Sequence, residues 1–259
     1  MELNKDIYEY LTNFADNRTI LNMLSVNRKF NDEQFFKRVM QRKYPLLLRF
    51  QKKDESVKSL FVRMAYALAK LEEDYGIPYI STPKYNPYEF YIRWKRVSNK
   101  EEIYNQAMDY AVQAGELDIV KSMIEKGATE YDWVMDKAIK FGHLNIIQFL
   151  MNKINGKHNT YHLMIASEMG NLNVVKYLLK EIVFDIRGLN KALVMSSSEG
   201  YTEIVRLLVQ SGATDLNTAL TGAALNGQLE TVKYLAQQGA TSSQLWMSPT
   251  TSRMVQGPV

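Results

Sequence analysis

The 259 residues include no cysteine, which excludes disulfides, a thiol nucleophile and any zinc site built on thiolates, and fits a reducing compartment. Histidine is scarce: His143, His158 and His162 are the whole supply. His158 and His162 are four apart, but no His-Glu-x-x-His pattern accompanies them. All three read as ordinary positions, and no metal or cofactor is expected. No phosphate-binding P-loop, dinucleotide fingerprint or nucleophile elbow is present, so no catalytic residue is expected either. No stretch approaches the roughly 18 continuous apolar residues of a membrane span. The first fifteen residues hold Glu2, Asp6 and Glu9 without an apolar run, unlike a secretory signal. The chain therefore reads as soluble and intracellular, with no membrane partner.

What is present is ample apolar content, 46%, enough for a substantial core. The net charge of +4 is unevenly spread. The first hundred residues carry a clear excess of Lys and Arg, and the remainder a slight excess of Asp and Glu. That asymmetry suggests units with different surfaces.

The strongest signal is a repeat. Gly115, Gly142, Gly170, Gly200 and Gly227 recur at separations of 27, 28, 30 and 27. Seven residues before each stand Met108, Met135, Leu163, Leu193 and Leu220, and four before stand Ala111, Ala138, Ala166, Ser196 and Ala223. Five after come Val120, Ile147, Val175, Val205 and Val232, and eight after Met123, Leu150, Leu178, Leu208 and Leu235. Gly-Ala-Thr occurs at 127–129, 212–214 and 239–241, always twelve residues past a repeating glycine. Spacings of three and four on each side predict two helices with one apolar face apiece. The glycine suits the left-handed position that ends the first helix, and the small residue before it allows close approach of neighbours. Neither helix buries its stripe alone, but stacked pairs make a continuous core.

Segments such as Ala-Leu-Asn-Gly-Gln-Leu-Glu-Thr-Val-Lys-Tyr-Leu (224–235) closely resemble ankyrin repeats. The resemblance covers about half the chain. It departs from the family in length, about 28 residues against the usual 33, and in lacking the Thr-Pro-Leu-His opening. It implies an all-α ankyrin-repeat solenoid of five short repeats over 104–240, followed by a partial helix and tail over 241–259, with Trp246 capping the core. It also implies a target protein held by the first helices, chiefly by the two residues before each glycine. Here the candidates are Gln113, Lys140, Phe141, Glu168, Met169, Glu199 and Asn226. Phe141 and Met169 either meet the partner or pack on neighbouring repeats. Trp133, Tyr131 and Tyr161 either extend the surface or cover the shortened loops.

Residues 1–45 read as three small helices. Leu3-Asn4-Lys5-Asp6-Ile7, Val26-Asn27-Arg28-Lys29-Phe30 and Asp32-Glu33-Gln34-Phe35-Phe36-Lys37-Arg38 resemble an F-box in order and spacing, with Asn4 where the family has proline. The resemblance implies docking to the Skp-type adaptor of a Skp–cullin–F-box ubiquitin ligase through Leu3, Ile7, Leu11, Leu21, Leu24, Val26 and Phe36. Without cysteine the chain cannot itself be a RING-type or thioester-forming ligase. Its link to ubiquitin would be that of an adaptor. The combination of F-box and short ankyrin repeats looks like proteins of large DNA viruses that infect amoebae, with a host target and a possible place in the virion. The alternative is a non-catalytic or virion-associated scaffold whose N-terminal helices only cap the stack.

Residues 46–103 read as a helical connector: an amphipathic helix through Val57–Leu71 ending near Gly76, a Tyr- and Pro-rich loop, and a helix capped by Asn86 and opened by Pro87. Aromatic and basic residues interleave from Tyr85 to Arg96, as in platforms that bind single-stranded nucleic acid. Their helical spacing favours core packing instead, so nucleic acid is not an expected partner.

Overall fold

The computed structural model describes residues 33–153 and 160–241. These form thirteen α-helices and one 3-10 helix, with no strand among them. They fall into two compact units, the first ending at Glu130 and the second beginning at Tyr131.

The first described helix of the first unit is α1 (Glu33–Lys43), whose Phe35, Phe36, Val39 and Met40 share one buried face. Pro45 follows α1 and opens a 3-10 helix, Pro45–Phe50. A first helical position needs no N–H, which is what proline lacks. Helix α2 (Val57–Tyr75) buries Leu60, Phe61, Met64, Leu68 and Leu71, and ends at Gly76 with φ 63°, where the sequence placed its end. Its start is doubly capped. Ser56 Oγ accepts the N–H of Ser59 at 3.1 Å, and the Glu33 carboxylate accepts the N–H groups of Val57 and Lys58. An anion is favoured at that end of a helix. Arg63 forks onto Glu55, with Nε to Oε1 at 2.8 Å and Nη2 to Oε2 at 2.6 Å, and also donates to the Phe50 carbonyl. The hydrogen bond from Arg63 holds the Glu55 carboxyl below its usual range.

Helix α3 (Pro87–Trp94) opens as expected, Asn86 Oδ1 accepting from Tyr88 and Glu89. Helices α4 (Lys100–Ala114) and α5 (Leu117–Glu125) complete the unit and carry the first repeat. Phe90 of α3 and Tyr85 of the preceding loop pack on Tyr110 of α4, with ring centroids 6.0 and 5.2 Å away. Tyr85, Tyr91 and Trp94 are buried. These three aromatics therefore belong to the core.

The second unit holds four helix pairs: α6 (Tyr131–Phe141) with α7 (Leu144–Met151), α8 (Thr160–Glu168) with α9 (Leu172–Glu181), α10 (Ile186–Glu199) with α11 (Thr202–Gln210), and α12 (Leu216–Leu225) with α13 (Leu229–Gln237). Each inner helix packs on the next. The positions seven and four before each repeating glycine are buried throughout, as are those eight after it. Of those five after, only Val232 in the last repeat is half-buried rather than buried. Ser196 stands at the alanine position with its buried hydroxyl satisfied, Oγ donating to the carbonyls of Ala192 and Leu193 at 2.9 and 3.1 Å.

The repeating glycines have φ between 71° and 81°, conformations that side chains rarely adopt. In the second unit they are also landing places. A β-carbon on Gly142 would lie 2.8 Å from Asn171, one on Gly170 would lie 2.6 Å from the Tyr201 ring, and one on Gly200 would collide with Gln228. The residue just after each glycine thus lies across the glycine one repeat earlier. Asn171 Nδ2 donates to the Ile139 and Lys140 carbonyls at 2.7 and 3.0 Å, both in the last turn of α6, where the regular helical bonding ends.

Gly-Ala-Thr has a counterpart that hydrophobic spacing does not reveal. Asn190 Oδ1 accepts the N–H groups of Thr214 and Asp215 at 2.7 and 3.1 Å, and Asn217 Oδ1 accepts that of Thr241 at 2.8 Å. In the first unit Asn105 does the same for Thr129 and Glu130, at 2.7 and 3.2 Å. Each asparagine stands ten before a repeating glycine and ties its inner helix to the loop that ends the same repeat. The second and third repeats have Asp132 and Thr160 at that position and no Gly-Ala-Thr.

Candidate partner-binding face

Residues nine, five and two before each glycine recur at helical spacing, so they form one stripe along each inner helix, joined by the residue just before the glycine. On α6 and α8 this stripe is apolar and exposed. Trp133 and Tyr161, both nine before their glycines, are 57% and 53% exposed, and Phe141 and Met169, both one before, are 46% and 36% exposed. Four large apolar side chains thus stand in water on two neighbouring helices. Lone exposed apolar residues are ordinary, whereas a group of them marks an interaction surface. The Lys137 ammonium sits 5.0 Å from the Trp133 ring centroid, and the Phe141 and His143 rings stack at 6.1 Å.

Lys140, Phe141, Glu168, Met169, Glu199 and Asn226 end four successive inner helices of the second unit and are exposed. The exposed flanks of α10 and α12 are mostly polar: Lys191 and Thr218 replace Trp133 and Tyr161, although Leu225 is also exposed. Gln113 belongs to the first unit and is half-buried, its Nε2 3.0 Å from Asp109 Oδ2. Tyr131 is half-buried at the start of α6.

His162 corrects the reading of it as an ordinary polar position. It is buried, eight before Gly170, where Val134, Ala192 and Ala219 stand in the other repeats of this unit. Its Nε2 lies 3.3 Å from Asp136 Oδ1 on α6. Burial pushes the imidazole below its usual pKa, against the pull of Asp132. Burial also raises the Asp136 carboxyl, with the Asp132 charge adding to it. The 3.3 Å contact would favour a charged pair, but burial is the larger effect and shifts both groups towards their neutral forms.

Of the residues matched to an F-box, Leu3, Ile7, Leu11, Leu21, Leu24 and Val26 lie outside the described residues, as do His158 and Trp246. Phe36 is fully buried, its ring 5.2 Å from Phe35 and 5.3 Å from Phe61 of α2. In this arrangement it joins α1 to α2 and is not open to a partner. Among the described residues no group of three or more His, Asp or Glu is placed to hold a metal ion, and no helix is long and apolar enough to cross a membrane.

Paired helices, a left-handed glycine between them and a variable inner stripe define a helical repeat protein that presents side chains along its inner helices. The family model described as ankyrin repeats (3 copies) matches residues 108–190 and again 184–244. The two matches together take in more than half of the 259 residues, and the chain belongs to the ankyrin-repeat family. No curated protein matches the sequence.

Proposed function

We propose that the protein is a non-catalytic scaffold that holds a protein partner on the inner helices of its second and third repeats. Trp133, Phe141, Tyr161 and Met169 are the anchors, and Lys140 and Glu168 the polar flank. The observation that carries this reading is the exposure of those four side chains at matching positions of α6 and α8, where α10 and α12 have mostly polar groups. Large aromatic residues supply most of the energy at protein interfaces, within a polar rim. A photoreactive amino acid at Tyr161 tests it. Cross-linking to a partner that survives Gln148→Glu on α7 but is lost in Phe141→Asp with Met169→Asp supports the face. Equal cross-linking in both variants sinks it.

Within that role we place an adaptor function: the repeats hold a target, host-derived if the amoeba-virus likeness holds, while residues 1–45 engage the Skp-type adaptor of a cullin ligase. Its support is the Leu3–Ile7 and Val26–Phe30 motif. Holding target and ligase together would raise their effective concentration. Direct binding of the purified chain to a Skp-type adaptor, abolished by Ile7→Asp with Leu24→Asp, is the expected result. No binding leaves a scaffold without a ligase.

A further inference from the structure

The joint between the second and third repeats is built unlike the joints that follow it. Helix α6 shares less packing with α8 than α8 shares with α10 or α10 with α12. The outer helices α7 and α9 likewise meet less closely than α9 with α11 or α11 with α13. Neither repeat has the asparagine tie to Gly-Ala-Thr. Asn171 holds the glycine end of the joint, its amide reaching the Ile139 and Lys140 carbonyls of α6. At the other end His162, the third residue of α8, is buried with its Nε2 3.3 Å from Asp136 Oδ1. Trp133 and Tyr161 stand exposed at that same end.

Among the described residues, the charges that act on the imidazole are two carboxylates of α6. One is Asp136, whose side chain is 33% exposed, and the other is Asp132, one turn earlier. The charged side chains of the other helices packed on α8 point to solvent: Lys176, Lys180 and Glu181 of α9, and Arg187, Lys191 and Glu199 of α10, are exposed. Burial outweighs the pull of Asp132, so the closed joint resists the proton. Parting α6 from α8 at this end returns the imidazole to water, where it protonates at its ordinary pKa of about 6.5. Each pH unit below that shifts the balance towards the parted arrangement by up to about tenfold, until the closed joint itself accepts the proton. Protonation of Asp136, which burial also favours, opposes the parting at still lower pH.

We propose that this joint is an acid-operated hinge: in mild acid α6 and α8 part at the Trp133–Tyr161 end, while Asn171 keeps the glycine end together. Local opening of this kind starts where packing is thinnest, and a buried histidine supplies the trigger. All four anchors of the binding face sit on these two helices, so parting them splits the face and releases the partner. That consequence rests on the partner-binding reading, whereas the hinge is measured on the free chain.

Because the full chain has no cysteine of its own, nitroxide labels can be placed on introduced cysteines alone. One pair, Trp133→Cys with Tyr161→Cys, reports on the opening end, and both sites are more than half exposed. A second pair, Lys140→Cys with Glu168→Cys, reports on the Asn171 end. From about pH 7.5 to about pH 5.5 the dipolar broadening of the first pair should fall severalfold, and that of the second should persist. With His162→Ala, alanine being the residue of the fourth and fifth repeats there, both pairs should keep their broadening. An unchanged first pair, an equal loss in both pairs, or the same loss with His162→Ala overturns the hinge. If the first pair does not fold, a single label at Tyr161 reads the opening as faster nitroxide motion, against the same His162→Ala control. A hinge that opens in a chain that cross-links no partner removes the binding reading and leaves the hinge. Cross-linking in a chain whose first pair never parts removes the hinge and leaves the face.

Discussion

The second and third repeats differ from the fourth and fifth in almost everything except the positions that bury the core. The fourth and fifth have alanine at the site of His162, an asparagine tied to Gly-Ala-Thr, and mostly polar side chains along the inner stripe. The second and third lack the asparagine tie, hold a buried histidine beside Asp136, and expose Trp133, Phe141, Tyr161 and Met169. Within one architecture, two repeats are built for regularity, and two keep the framework while giving up local satisfaction for an apolar surface. Such departures from local consistency are expected where a protein meets something else.

The comparison can be broken by experiment. The largest effect is expected at the shared framework: Leu193→Ala, in a fully buried site of the fourth repeat, should destabilise by about 3 kcal/mol in a denaturant titration. Gly170→Ala should cost about 2 kcal/mol, because its φ of 73° is strained for alanine and the new methyl meets the Tyr201 ring. Adding Tyr201→Ala should recover the steric share in a double-mutant cycle. Asn190→Ala, which strands two N–H groups, should cost about 1 kcal/mol, and Asn217→Ala, which strands one, should cost less.

A pH series separates the pairs further. The folded state holds His162 below its ordinary pKa of 6.5. As pH falls through 6.5 the unfolded chain takes up a proton that the folded chain resists, and stability declines until the lower folded pKa is reached. The raised Asp136 carboxyl works the other way, adding stability as it protonates at lower pH, above its ordinary 3.8. His162→Ala should flatten the decline just below pH 6.5, measured by denaturation midpoints. The smallest effect on stability is expected at the proposed binding face, where Trp133→Ala should stay within about 0.5 kcal/mol of the parent. If it costs as much as Leu193→Ala, the division between framework and surface fails.

The framework was legible because it is periodic. Positions counted from Gly115 to Gly227 named the buried residues, and the caps at Gly76 and Asn86 came from local chemistry alone. The asparagine tie was equally present in the letters, since Asn105, Asn190 and Asn217 each stand 24 before the threonine of a Gly-Ala-Thr. It went unread because hydrogen bonding across 24 residues leaves no mark on hydrophobic spacing. His162 was misjudged because polarity was weighed without its place in the repeat, where alanine and valine elsewhere mark an interior site. For the candidate face, the sequence named Phe141 and Met169, but whether Trp133 and Tyr161 were covered depended on loop packing that composition does not encode. The 3-10 helix at Pro45 has no clear sign in the sequence, since proline both ends one helix and begins another.

The seating of Asn171, Tyr201 and Gln228 on the preceding glycine gives the stack a grammar that copying preserves. A stretch running from Tyr201 to Gly227 begins with a residue shaped for a glycine and ends with a glycine able to receive one. Duplicated in tandem, it would present both halves of the joint in the right order, with no new surface to invent. Lengthening such a chain is therefore a matter of repetition, and divergence can then be confined to the few letters along the inner stripe.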